Sequence, residues 1–112
     1  MPPPEDIDLN LLREIAADPA TSQRGLARRL GVSLGRVNFC LRALADKGLV
    51  KASNFRRSDN KRAYAYVLTP QGVDEKVRLT VNFLQRKMIE YDRLQVELES
   101  LRREVGELTK ND

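Results

Sequence analysis

The chain has 112 residues and a formal net charge of +4, with a single cysteine and no histidine. This length supports one compact domain plus one extended element, and the apolar content fills one modest core. One cysteine makes no internal disulfide, no apolar run is long enough to cross a bilayer, and the opening Met1-Pro2-Pro3-Pro4-Glu5-Asp6 has neither the basic nor the apolar region of a signal peptide. A cytoplasmic, nucleoid-associated protein is expected, with no membrane partner. The charge is uneven along the chain. Residues 1–20 are net −4, residues 21–68 carry eleven basic and two acidic side chains for net +9, and residues 69–112 are net −1. A positive stretch between acidic or neutral flanks is the footprint expected for a polyanion partner.

Residues 1–6 read as a disordered leader, since prolines fix φ and lack a donor. A first helix follows, with Asp6 or Asp8 as N-cap and Ile7, Leu11, Leu12, Ile15 and Ala16 as its apolar face. Asp18-Pro19 stops it. Ser22 caps a second helix in which Leu26, Ala27 and Leu30 point inward and Arg24, Arg28 and Arg29 outward. Gly31 ends that helix at positive φ. Ser33 caps a third almost at once, with Val37, Cys40, Leu41 and Leu44 as the buried stripe, and Lys47-Gly48 closes it. Residues 50–55 and 63–68 read as strands of a hairpin, with Tyr64 and Tyr66 on one face. Thr69-Pro70 then starts a helix that no proline interrupts as far as Lys110.

The short turn between the second and third helices is the informative feature. Gly31 supplies its geometry, Val32 plugs the angle between the helices, and Ser33 caps the helix that projects outward. This is a helix-turn-helix, with residues 33–47 as the recognition helix and the basic loop at 56–62 as a wing. Leu34, Gly35, Arg36, Asn38, Phe39 and Arg42 are the outward positions of the third helix. Arg36 and Asn38 are the expected base readers, since Arg suits guanine and Asn suits adenine. Gly35 admits a close backbone approach, and Leu34 and Phe39 suit thymine methyls. Arg42 is expected at a phosphate. Ser33 with its neighbouring amides offers a phosphate contact, and Ser22, Gln23 and Arg24 at the start of the second helix are further expected DNA contacts. Arg56, Arg57, Asn60, Lys61 and Arg62 are expected on the flanking backbone or minor groove. Cys40 lies on the buried stripe, and a plain core role is expected for it.

The long helix repeats apolar residues in steps of three and four. Val77, Val81, Leu84, Met88 and Tyr91 form one series and Leu94, Leu98, Leu101, Val105 and Leu108 another, joined by a step of three that acts as a stammer. The nine residues from Val81 on are the expected dimer interface, with the direction of pairing left open. Val77 and part of Leu84 are expected to pack on their own domain. The fold class is thus mainly α with a small β-hairpin (α+β), divided into a leader (1–6), a winged helix-turn-helix (7–69) and a long coiled-coil-like helix (70–110). With no histidine, metal-ligand cluster, phosphate-binding loop or activated nucleophile, an enzyme is not expected, nor is a metal or cofactor. The expected partners are double-stranded DNA and a second copy of the chain. An alternative is a winged-helix protein-interaction or adaptor module that dimerises through its coil.

The strings Leu30-Gly31-Val32-Ser33, Lys47-Gly48-Leu49-Val50, the basic wing and Leu68-Thr69-Pro70-Gln71-Gly72 resemble the MarR family of regulators. Closer in, Gly31 through Leu41, Asn60 through Tyr66, and Lys87-Met88-Ile89-Glu90-Tyr91 resemble its short subgroup associated with exopolysaccharide gene clusters. The resemblance implies dimeric, sequence-specific DNA binding, with Arg62 as the wing-tip arginine. The usual wing aspartate two residues before it is Asn60 here, and the sequence shows no counterpart of the extra terminal helices with which larger relatives form a dimer lobe and ligand pocket, so a small-molecule effector is not expected.

Overall fold

The computed structural model describes residues 4–56 and 62–110, with side chains described over 6–52 and 66–110. The elements in chain order are α1 (Pro4–Ala17), α2 (Gln23–Leu30), α3 (Leu34–Asp46), β1 (Val50–Arg56), β2 (Arg62–Leu68) and α4 (Pro70–Lys110). The chain divides into two units, Met1–Thr80 and Val81–Asp112.

The first helix begins earlier than its sequence suggests. Pro4 is already helical, which corrects both the leader expected through residue 6 and the cap expected at Asp6 or Asp8. Proline is well suited to a first turn, where its missing N–H has no helical partner to lose and its φ already matches. The α1 core also differs from the expected face. Ile7, Leu11, Leu12 and Ile15 are buried as expected, but so is Leu9, whereas Ala16 is exposed. Because α1 lies against α2, α3 and β2 together, its buried surface extends beyond a single stripe.

Both helices of the central pair start and stop where their sequences indicate. Ser22 Oγ accepts from the Gly25 amide at 3.0 Å, and Ser33 Oγ accepts from the Arg36 amide at 3.1 Å. Each side chain thereby satisfies an amide that has no partner within its helix. After α2 the Gly31 and Val32 amides turn back to the carbonyls of Arg28 and Ala27. This paired closure needs a left-handed residue, and Gly31 supplies it at φ 68°. After α3 the amides of Gly48 and Leu49 close on Ala45 and Leu44 in the same pattern. Leu26, Ala27, Val37, Cys40, Leu41 and Leu44 are buried as expected and join the α1 residues in the core.

The hairpin pairs β1 and β2 antiparallel, from Val50 opposite Leu68 to Arg56 opposite Arg62. Each strand is one residue longer than its sequence suggests. Just before α4, Thr69 ties the helix start to the turn that follows α3. Its amide donates to the Leu49 carbonyl at 3.1 Å and its hydroxyl to the Gly48 carbonyl at 2.5 Å, while Oγ1 accepts from the Gly72 amide at 3.0 Å. Gly72 is buried beside this knot, and a Cβ there would stand 1.9 Å from the Leu49 carbonyl oxygen.

Val77 was expected to pack on its own domain, but it is 58% exposed, and the buried residue is Leu79 at 5%. On a helix Leu79 lies seven residues beyond Gly72, on nearly the same face. The close approach at Gly72 therefore sets which face turns inward, and the stripe beginning at Val77 lies on another. Leu84, also expected to pack partly on the domain, is 57% exposed.

The second unit is the helical stretch that begins at Val81. Its local contacts run along the helix, with Lys87 paired to Glu90 at 3.1 Å, Gln95 donating to the Tyr91 hydroxyl at 2.9 Å, and Arg86 and Lys87 set over the Phe83 ring.

Candidate nucleic-acid interface

The candidate interface is built on α2, the Gly31 turn and α3. Val37, Cys40, Leu41 and Leu44 anchor α3 in the core, and the side facing away from them is thereby fixed. With about 100° per residue, the residues opposite this anchor are Gly35, Phe39, Arg42 and, in the last turn, Asp46, and all are exposed, Phe39 at 72%. Leu34, 41% exposed, and half-buried Asn38 border this face on one side.

Arg36 occupies the other border. It lies about 160° around the helix from Asn38, is half-buried, and its Nε is buried without a hydrogen-bond partner. It was expected among the outward residues, and the structure places it at the margin instead. The reason is spacing: Arg36 stands four residues before the buried Cys40, on the same flank. Arg42, one of the expected outward residues and expected at a phosphate, lies on the exposed face.

At the start of α2, the cap Ser22 and Arg24 are exposed and Gln23 is half-buried. The Ser22 and Ser33 hydroxyls both act as acceptors toward their own helices, which leaves each O–H proton available for an outside acceptor. Of the α2 arginines, Arg24 and Arg28 are exposed without a partner in the described set. Arg29 is held 2.9 Å from Glu14 of α1, so its charge is partly spent within the fold. Lys51, exposed on β1, adds positive charge that the sequence reading did not single out. Its position next to the core residue Val50, on a strand whose faces alternate, was the available signal. Arg56 and Arg62 end the paired strands opposite each other, and Arg57, Asn60 and Lys61 lie outside the described residues.

Residues 4–51 match the family model described as winged helix-turn-helix DNA-binding. No curated protein matches the chain. Among solved structures, the chain is similar to the PcaV transcriptional regulator of Streptomyces coelicolor in complex with its natural ligand. Identity is 22% over 86% of this chain and 70% of that one, with a TM-score of 0.63. It is similar to smu.1704 of Streptococcus mutans, at 18% identity over 77% of this chain and 83% of that one, with a TM-score of 0.67. It is also similar to MepR of S. aureus in a DNA complex, at 20% identity over 80% of this chain and 61% of that one, with a TM-score of 0.61. The fold is therefore that of a winged helix-turn-helix DNA-binding domain followed by a long helix, and the resemblance to MarR regulators is borne out at the level of fold. Among the described residues no helix is long and apolar enough to cross a membrane.

Proposed function

We propose that this chain is a sequence-specific, double-stranded-DNA-binding transcription regulator that acts in the cytoplasm as a homodimer. The outward face of α3 carries the reading: Gly35, Phe39 and Arg42, bordered by Leu34 and Asn38, are free of the core in the most positively charged part of the chain. A helix presenting an arginine, an amide and apolar tips suits the major groove, where guanine, adenine and thymine methyl groups offer matching edges. Ser22, Gln23, Arg24 and Ser33 serve the phosphates alongside, and Arg56, Arg57, Asn60, Lys61 and Arg62 serve the flanks. The DNA complex of MepR, of the same fold, favours this use of the surface.

The placement of α3 refines the roles. Arg42 and Asn38 read bases, with Phe39 and Leu34 against thymine methyls. Arg36, at the margin, reaches the groove wall and steadies the backbone. Arg42→Ala then relaxes sequence preference at one position per half-site in a binding-site selection, at about 1–3 kcal/mol of discrimination. Arg36→Ala lowers affinity for all sequences together. Exchange of these two outcomes would restore Arg36 as the base reader.

The exposed apolar residues Val81, Leu84, Met88, Tyr91, Leu94, Leu98, Leu101, Val105 and Leu108 are the proposed dimer surface, which brings two recognition helices to one operator. Control of exopolysaccharide genes is proposed on the subgroup resemblance alone. The test of function is fluorescence anisotropy at physiological salt, comparing the duplex upstream of the protein's own gene with a scrambled duplex. A preference of about three orders of magnitude or more establishes a specific regulator. Equal, weak binding to both overturns the reading in favour of a nonspecific DNA coat or an adaptor module.

A further inference from the structure

We infer that Val81–Asp112 pairs with a second copy of itself as a parallel, in-register coiled coil. The inference rests on the proposed homodimer and adds its direction. Tyr91, Leu94, Leu98, Leu101, Val105 and Leu108 are 40–62% exposed, and within the described residues of the chain no element covers them. A contiguous apolar stripe of this kind calls for a partner surface. Its spacing assigns Tyr91, Leu98 and Val105 to heptad position a and Leu94, Leu101 and Leu108 to position d.

The flanking positions choose the direction. Position g holds Glu90, Glu97 and Glu104, while position e holds Gln95, Arg102 and Thr109. In a parallel pair each g residue meets the partner's e residue five places on, which sets Glu97 against Arg102 twice in the dimer and Glu90 against the Gln95 amide. In an antiparallel pair g meets g and e meets e, which sets glutamate against glutamate. Glu97 and Arg102 lie about 140° apart on their own helix and cannot meet there, and neither forms an ion pair within the described residues of the chain.

Leu98→Cys and Val105→Cys test this separately, in the native background whose own Cys40 is buried. In a parallel, in-register dimer each residue faces its own copy, so both variants form a disulfide-linked dimer under mild oxidation. An antiparallel pair has only one layer that faces itself, and cannot link both. As a second measurement, Glu97→Lys and Arg102→Glu are each expected to weaken the dimer on the order of tenfold in sedimentation equilibrium, and mixing the two restores association as a heterodimer. Tighter association of Glu97→Lys alone would overturn the parallel arrangement. A dimer in which at most one cysteine variant cross-links overturns the direction and leaves the homodimer standing. A monomer at all concentrations overturns both.

Discussion

Gly72 is held where no other residue fits. The Leu49 carbonyl oxygen occupies the space of a side chain, 1.9 Å from where a Cβ would stand, and the adjacent Thr69 bonds keep α4 from drawing back. Replacement by alanine forces the helix start away from the α3–β1 junction. Gly72→Ala is expected to cost about 1–3 kcal/mol as overpacking, read as a lower urea midpoint. Gly106→Ala supplies the contrast. Nothing lies within 4 Å of its Cβ position, so the intrinsic preference of alanine for helix stabilises by up to about 1 kcal/mol. Gly72 was visible in the sequence only as a glycine in a first turn. The contact that requires it joins residues 23 positions apart, and no local pattern encodes that contact. The same holds for Leu79, because choosing it over Val77 as the buried residue needs the anchor at Gly72. Arg36 is a different case. Its side chain suits base reading, and only the angle between it and the buried Cys40 moves it to the margin.

At the scale of elements, the sequence was most informative where a single side chain meets a nearby backbone group. Ser22, Ser33, Gly31 and Gly48 mark helix ends by chemistry that acts over three or four residues, and these ends fall where the sequence places them. The start of α1 was missed because proline at a first turn favours a helix and elsewhere breaks one. Ser33→Ala removes the acceptor of the Arg36 amide at an expected cost of about 1 kcal/mol, measured by thermal or urea unfolding. Because that cap also fixes the start of the recognition helix, DNA affinity is expected to fall with it. In α4, Glu75 pairs with Arg78 one turn on. The hydrogen bond from Arg78 holds the Glu75 carboxyl below its ordinary value of 4.5, against a small opposing effect of burial, with the charges of Arg78 and Lys47 assisting. A lowered folded-state value means the pair stabilises above the unfolded carboxyl's pKa, and the contribution disappears as pH falls through the folded one. Glu75→Gln should therefore cost at most about 0.5 kcal/mol at pH 7. In acid, below the folded-state pKa, the variant and the native chain should unfold alike, as parallel urea titrations at the two pH values would show.

The whole molecule divides its tasks between two units. Met1–Thr80 contains nearly all of the closed core, and Val81–Asp112 presents apolar side chains that no described element of the chain covers. Their stability should therefore respond to different variables. Leu101→Asp, a charge placed in the middle of the proposed dimer seam, is expected to leave the urea unfolding of the first unit unchanged and to abolish dimers in sedimentation. A loss of core stability would mean that the seam packs within one chain.

The uncovered stripe also bears on how such a protein responds to its own abundance. If only the paired form grips its operator, occupancy at low copy number rises with the square of the number of chains, not in proportion to it. Doubling expression would then raise occupancy about fourfold. Titrating gene dose against a promoter reporter would expose that curvature, and a variant fused head to tail as a single-chain dimer should straighten it.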